Sequence, residues 1–112
     1  MISALTLAPA VVLPSGILRV AVAGDLDLAT AGTLVAASTW HLESGCRLLA
    51  LDLAGVTFMD SSGLGALIEV RNTAMQAGVE LILARPPRKL TRVLERTGMA
   101  GVFTIDAGTT TS

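Results

Sequence analysis

A short apolar run that passes almost directly into a helical pattern constrains this chain most. Leu48-Leu49-Ala50-Leu51, then Leu53, Val56 and Phe58, form the run, and Gly63, Leu67, Val70 and Ala74 begin helical spacing just after it. A brief, near-continuous apolar segment that feeds a helix reads as a strand covered on both faces, as in a parallel sheet. Parallel strands need long crossovers, so the rest of the chain must supply helices between strands.

The remaining pattern supplies them. Ala4 to Leu13 and Ile17 to Val22 are apolar runs separated by Pro14-Ser15-Gly16, which is turn chemistry, so the chain opens with an antiparallel hairpin. Gly24-Asp25-Leu26-Asp27 leaves the second strand, and Asp27 or Thr30 caps a first helix over about Ala31 to Ser44, with Gly45 as its stop. A second helix spans Ser62 to about Ala77 and stops at Gly78. Val79 to Ala84 is the next strand. Pro86-Pro87 break it, with Pro87 suited to the first position of a third helix that carries Leu90, Val93 and Leu94 on one face. Val102 to Ile105 makes a last short strand. The expectation is one domain over residues 1–112, with a core of about 5–105 and a frayed tail at 108–112.

The strand-to-helix junction is where chemistry concentrates. Asp60 is placed as a helix N-cap, and Ser61 and Ser62 lie beside the N–H groups that a helix start leaves free. A helix N-terminus carries about half a positive charge, so a phosphate there is compatible with the fold. A phosphoserine adds about −1.5 to −2 charge at neutral pH, and its effect falls on whatever docks there. On a 3.6-residue wheel, Gly63, Leu67, Val70 and Ala74 form the sheet-facing stripe. Leu64, Ile68 and Met75 form a second stripe with Arg71 among them, while Ser61, Gly65, Ile68 and Asn72 lie near one line. Gly65 has no side chain to hold a partner backbone away. The expected partner face is Ser61, Leu64, Gly65, Ile68, Asn72 and Met75, bordered by Arg71.

Composition removes other classes. The net charge of −1 gives no global field toward nucleic acid or an anionic membrane. Residues 1–18 carry no side-chain charge, but Pro9, Pro14 and Gly16 interrupt them before the ~20 apolar residues a span needs. One Cys, Cys46, forms no disulfide within the chain and no cysteine-based zinc site, and one His, His41, leaves a single imidazole base. Neither a G-x-S-x-G elbow nor a phosphate-binding glycine loop occurs, so no activated nucleophile is evident. Arg85, Arg88, Lys89, Arg92 and Arg96 hold five of the eight basic residues, and read as a solvated helix face rather than a nucleic-acid surface.

Val56-Thr57-Phe58-Met59-Asp60-Ser61-Ser62-Gly63-Leu64-Gly65 resembles the signature of STAS-domain anti-sigma factor antagonists. Gly24-Asp25-Leu26-Asp27-Leu28-Ala29-Thr30-Ala31 resembles that family's second landmark, usually written with Glu where Asp25 stands. The resemblance covers roughly Leu5 to Ile105. It implies an α/β STAS fold: a mixed four- to five-stranded sheet opening with an antiparallel hairpin, with helices packed mainly on one side. It also implies partner switching. The unphosphorylated antagonist binds an anti-sigma serine kinase and frees a sigma factor. Phosphorylation of Ser61, in preference to Ser62, then releases the antagonist, and a serine phosphatase resets it.

By the same resemblance Asp27 and Thr30 join the docking surface with Asp60, Ser61 and Ser62. The ATP belongs to the kinase, so no cofactor or metal is expected here. The implied protein is a cytoplasmic monomer or weak dimer, with no nucleic-acid or membrane partner. The alternative is a non-switching STAS scaffold within a larger signalling assembly.

Overall fold

β3 (Ile17–Leu26) and β4 (Leu48–Met59) form the parallel centre of the sheet in the computed structural model, which describes residues 4–8, 11–13 and 15–106. β1 (Leu5–Leu7) and β2 (Val11–Val12) pair antiparallel with the outer edge of β3, Leu7 opposite Val22 and Val12 opposite Leu18. β5 (Glu80–Ala84) adds parallel to β4, and β6 (Thr104–Asp106) adds parallel to β5. The order is β1-β3-β4-β5-β6, with β2 also on β3. The expected hairpin is therefore present, but its first arm is two short strands on one edge. The mixed sheet is as expected. Pro14 of the expected turn and the tail at 108–112 lie outside the described residues.

Register explains the core. Leu18 pairs with Leu49 and Val20 with Leu51, while Leu49 pairs with Leu81 and Leu51 with Leu83. Alternation puts all of these on one face, and all are buried. Against that face lie α1 (Ala31–Glu43), α2 (Ser61–Ala77) and α3 (Arg88–Arg96). They contribute Leu34 and Leu42, then Leu67, Val70 and Ala74, then Leu90 and Leu94, to the same cluster. Each fully buried Leu or Val adds roughly 1.5–3 kcal/mol. Helices on one side of the sheet match the expectation from the family resemblance.

Cover by helices on both faces of β4 does not hold. The opposite face carries Arg19, Ala21, Ala23, Ala50, Asp52 and Ala84, of which Ala21 and Ala23 are exposed. The run read as doubly apolar because Ala50 is small and Asp52 is one residue in many. Asp52 is 6% exposed and is closed over by arginines. Arg19 Nη2 donates to its Oδ2 at 3.1 Å, Arg85 Nε donates to Oδ1 at 3.2 Å, and Arg85 Nη2 also reaches Oδ2. Arg85 takes a left-handed backbone, φ 48°, with its N–H donating to Asp106 O. It thus leaves the basic row of α3, with which the sequence grouped it.

Burial alone pushes the Asp52 carboxyl up, but the hydrogen bonds from Arg85, the Ala54 N–H and Arg19 outweigh it and hold it below the usual carboxylate range. A carboxyl that titrates lower folded than unfolded stabilises fully above its unfolded value. That stabilisation is lost as pH falls below about 4 and through the folded value. The arginines are half exposed, which screens the pair. Asp52→Asn is expected to cost about 1–2 kcal/mol at pH 7 and progressively less as pH falls below about 4. Thermal melts of both proteins across that range check it.

Element ends differ from the sequence reading in several places, among them β6, which spans Thr104–Asp106 and not Val102 to Ile105, and the starts of α2 and β5, which fall at Ser61 and Glu80 and not at Ser62 and Val79. β3 runs on through Gly24 to Leu26. Gly24 has φ 106°, and a Cβ there would lie 2.3 Å from Ala4 O, so the glycine permits a kink within a strand rather than ending it. α1 ends at Glu43 with Ser44 as cap, and Thr30 sits at its N-cap without a side-chain cap bond. Pro87 is the N-cap of α3, one residue before the first helical position. Gly78 does cap α2, left-handed at φ 71°.

Candidate functional site

The carboxyl ends of β3 and β4 emerge side by side, Leu26 opposite Met59. β4 then turns into α2 within one residue. Asp60 is extended and caps the helix, its Oδ1 accepting from Ser62 N at 2.9 Å and Gly63 N at 3.3 Å. A cap of this kind is worth about 1 kcal/mol. Asp60 N donates to Leu26 O, which ties the helix start to the end of β3.

Gly63 makes that contact close. A Cβ on it would lie 2.5 Å from Leu26 O and 2.9 Å from both Leu26 Cγ and Met59 Cγ. The helix therefore rests directly on the strand end, and the loop after β3 stands beside Ser62. In that loop Asp27 Oδ1 accepts from Ala29 N at 3.0 Å. Thr30 Oγ1 accepts from Asp27 N at 3.0 Å and donates to Asp25 O at 2.7 Å.

Several predicted site residues stand at the surface. Ser61, Gly65, Asn72 and Met75 are exposed, as is Asp60, while Ser62 and Asp27 are half-buried. Thr30 does not present a docking group: it is 5% exposed, because its hydroxyl is spent shaping the loop. Leu64 and Ile68 are half-buried against the core cluster. Arg71 is half-buried too, its Nε donating to Val102 O at 3.0 Å, which pins α2 to the segment before β6. The stripe of Leu64, Ile68 and Arg71 thus faces its own fold. A wheel gives angles along one helix and cannot say which angle a later segment covers.

Two grooves flank the junction. Ser62, Gly65, Ala66 and Glu69 of α2 face Leu28, Gly32 and Ala36 across a shallow cavity of about 460 Å³. Leu28 there is 80% exposed. On the other side Met59, Asp60, Ser61 and Leu64 face Lys89, Leu90, Val93 and Thr97 of α3 and its end across about 190 Å³. Ser61 and Ser62 therefore open onto different grooves. Leu28, Glu69, Lys89 and Val93 were not singled out for this site from sequence. The apolar exposed Leu28 inside the second landmark was the one local signal.

Three of the N–H groups expected to be free for a phosphate are already occupied. Ser62 N and Gly63 N bond to the Asp60 carboxylate, and Leu64 N bonds to Asp60 O. His41 lies in the last turn of α1, edge-on to Trp40 at 5.2 Å, at the far end of that helix from Thr30. No group of three or more metal-ligating side chains exists among the described residues, and no helix there is long and apolar enough to cross a membrane. The arrangement offers an exposed serine hydroxyl on a rigid helix start, next to an acidic loop.

Comparison with known proteins gives this geometry a context. A family model for the STAS domain matches residues 8–111. An anti-sigma-B factor antagonist of Staphylococcus aureus (strain NCTC 8325 / PS 47) is 30% identical over 91 residues, covering 81% of this chain and 84% of that protein. The crystal structure of an anti-sigma factor antagonist from Mycobacterium paratuberculosis superposes with a TM-score of 0.76 at 23% identity, over 95% of this chain and 88% of that one. The Bacillus cell fate determinant SpoIIAA in its phosphorylated form superposes with a TM-score of 0.67 at 17% identity, over 94% and 93%.

Proposed function

The chain belongs to the STAS-domain anti-sigma factor antagonist family, and on that premise we propose that it acts by partner switching controlled at Ser61. Unphosphorylated, it docks an anti-sigma serine kinase and so frees a sigma factor. The kinase then transfers the γ-phosphoryl of its ATP to Ser61 Oγ. The bond to ADP breaks, the hydroxyl proton passes to a kinase base, and the complex dissolves. A serine phosphatase restores the hydroxyl.

The observation that carries this reading is the exposed Ser61 hydroxyl at the first position of a helix whose start is fixed from both sides. Asp60 bonds and the seat of Gly63 on Leu26 hold it, so added charge changes the surface and not the fold. The docking face consists of Asp27, Leu28, Asp60, Ser61, Ser62 and Gly65, extended by Glu69 and Asn72. It omits Thr30 and replaces the half-buried stripe of Leu64, Ile68 and Arg71. That a phosphorylated form of SpoIIAA shares the fold supports the reading.

The test is a complex of the purified chain with each anti-sigma serine kinase of its source organism, followed by size exclusion with and without ATP. ATP is expected to dissolve the wild-type complex and to leave the Ser61→Ala complex intact. A complex that ATP leaves intact in both would support the non-switching scaffold instead.

A further inference from the structure

The groove between α2 and α3 gives a phosphate on Ser61 a place to go. We infer that Lys89 is the counter-ion of phosphorylated Ser61 and draws the phosphate into this groove. The inference rests on Ser61 being the modified residue.

Three observations carry it. First, two of the local donors are taken: Asp60 holds Ser62 N and Gly63 N, and its carboxylate stands next to the modified residue as a like charge. A cationic partner for the phosphate must come from outside the helix start, where Ser61 to Leu64 carry no basic side chain. Second, Ser61 and Lys89 line one cavity of about 190 Å³ with the apolar Met59, Leu64, Leu90 and Val93, and its other polar groups, Asp60 and Thr97, offer no cation, so Lys89 is its one basic side chain. An ion pair at the mouth of an apolar groove is less screened than one in open water. Third, Lys89 is uncommitted. Both ion pairs found among the described residues belong to Asp52, and Lys89 Nζ rests 6.0 Å over the ring of Phe58, itself 45% exposed. A flexible ammonium can leave that weak contact for a phosphate dianion.

The rest of α3 adds to the field. Arg88, Arg92 and Arg96 stand at i, i+4 spacing and line a second concavity with Lys89 and Val93. Like charges so spaced oppose the helix slightly, and a nearby anion relieves that. Lys89 and Val93 belong to both concavities, so the phosphate meets the end of a basic row. Phosphorylation then changes two places at once, adding charge at Ser61 and neutralising Lys89 on α3.

The test needs no kinase. Phosphoserine is inserted at position 61 during translation, and the phosphate is titrated by 31P NMR. Its second ionisation ordinarily falls near pH 6, and a neighbouring cation lowers it. Lys89→Ala is expected to raise the midpoint by about 0.5 pH unit over the wild-type phosphoprotein. Lys89→Arg is expected to restore it. Arg96→Ala removes the same charge from the other end of α3, and is expected to move the midpoint less than half as far. An unchanged midpoint in Lys89→Ala, or an equal shift in Arg96→Ala, overturns the inference. If this titration behaves as expected while no kinase modifies Ser61, the pairing stands and the switching mechanism is what fails.

Discussion

Ser61→Asp is expected to bind the anti-sigma kinase about 100-fold more weakly than the wild-type chain, a loss of about 2.7 kcal/mol. The reason lies in what the carboxylate meets. In the free protein it sits in the first turn of α2, where a negative charge is favourable by about 0.3–1 kcal/mol. In the proposed complex it would be buried against a surface that accepts a neutral hydroxyl, and an unpaired buried charge costs about 2–5 kcal/mol. Binding should therefore collapse while the melting temperature stays within a few degrees. Titration calorimetry and a thermal melt on the same preparation separate the two. A severe loss of thermal stability would show that the charge acts on folding, contrary to a switch located at an interface.

Gly63→Val should do the opposite. Its side chain would meet Leu26 O, Leu26 Cγ and Met59 Cγ at or inside 2.9 Å, all of them in packed strand ends. Helix propensity favours valine over glycine by several tenths of a kcal/mol, but overpacking outweighs it, for a net cost of about 3 kcal/mol. That corresponds to a melting temperature lower by roughly 10 °C or more. Gly65 provides the contrast, two residues along the same helix. A Cβ there meets nothing within 4 Å, so Gly65→Ala should stabilise the free chain by about 0.5–1 kcal/mol. If a partner backbone lies on Gly65, the same substitution weakens the complex. Differential scanning calorimetry on the two variants checks the stability contrast, and a rise in melting temperature for Gly63→Val would contradict the close seat of α2 on β3.

What the sequence made legible follows from the range of the interactions involved. The Asp60 cap, the start of α2 and its stop at Gly78 depend on neighbours within a few residues, and local chemistry places them. The buried stripe of Gly63, Leu67, Val70 and Ala74 was equally visible, because helical spacing fixes it. The course of β3 past Gly24 was not. Gly-Asp reads as a turn, and it is pairing with β4, past the end of the β1 ladder at Gly24, that carries the strand to Leu26. The Asp52 cluster joins residues 33 apart in both directions, so no window along the chain contains it.

The site divided along the same line. Ser61 stood out because capping chemistry and the family signature coincide there. Thr30 sat equally well in a landmark, yet its hydroxyl turned inward to Asp25 O. Lys89 looked like one charge in a solvated row, since its place beside Ser61 depends on how Leu90 and Leu94 anchor α3 in the core. Charge and capping could be read from the residues, whereas the groove between two helices is a property of packing.

The most direct test of the account is to map the phosphate itself. The chain is incubated with the cognate anti-sigma kinase and ATP, and the modified residue is located by mass spectrometry in the wild type, Ser61→Ala and Ser62→Ala. The expected result is one phosphate on Ser61 in the wild type and in Ser62→Ala, and none in Ser61→Ala. A phosphate on Ser62 in the wild type, or one that persists in Ser61→Ala, would contradict the assignment of Ser61 as the switch.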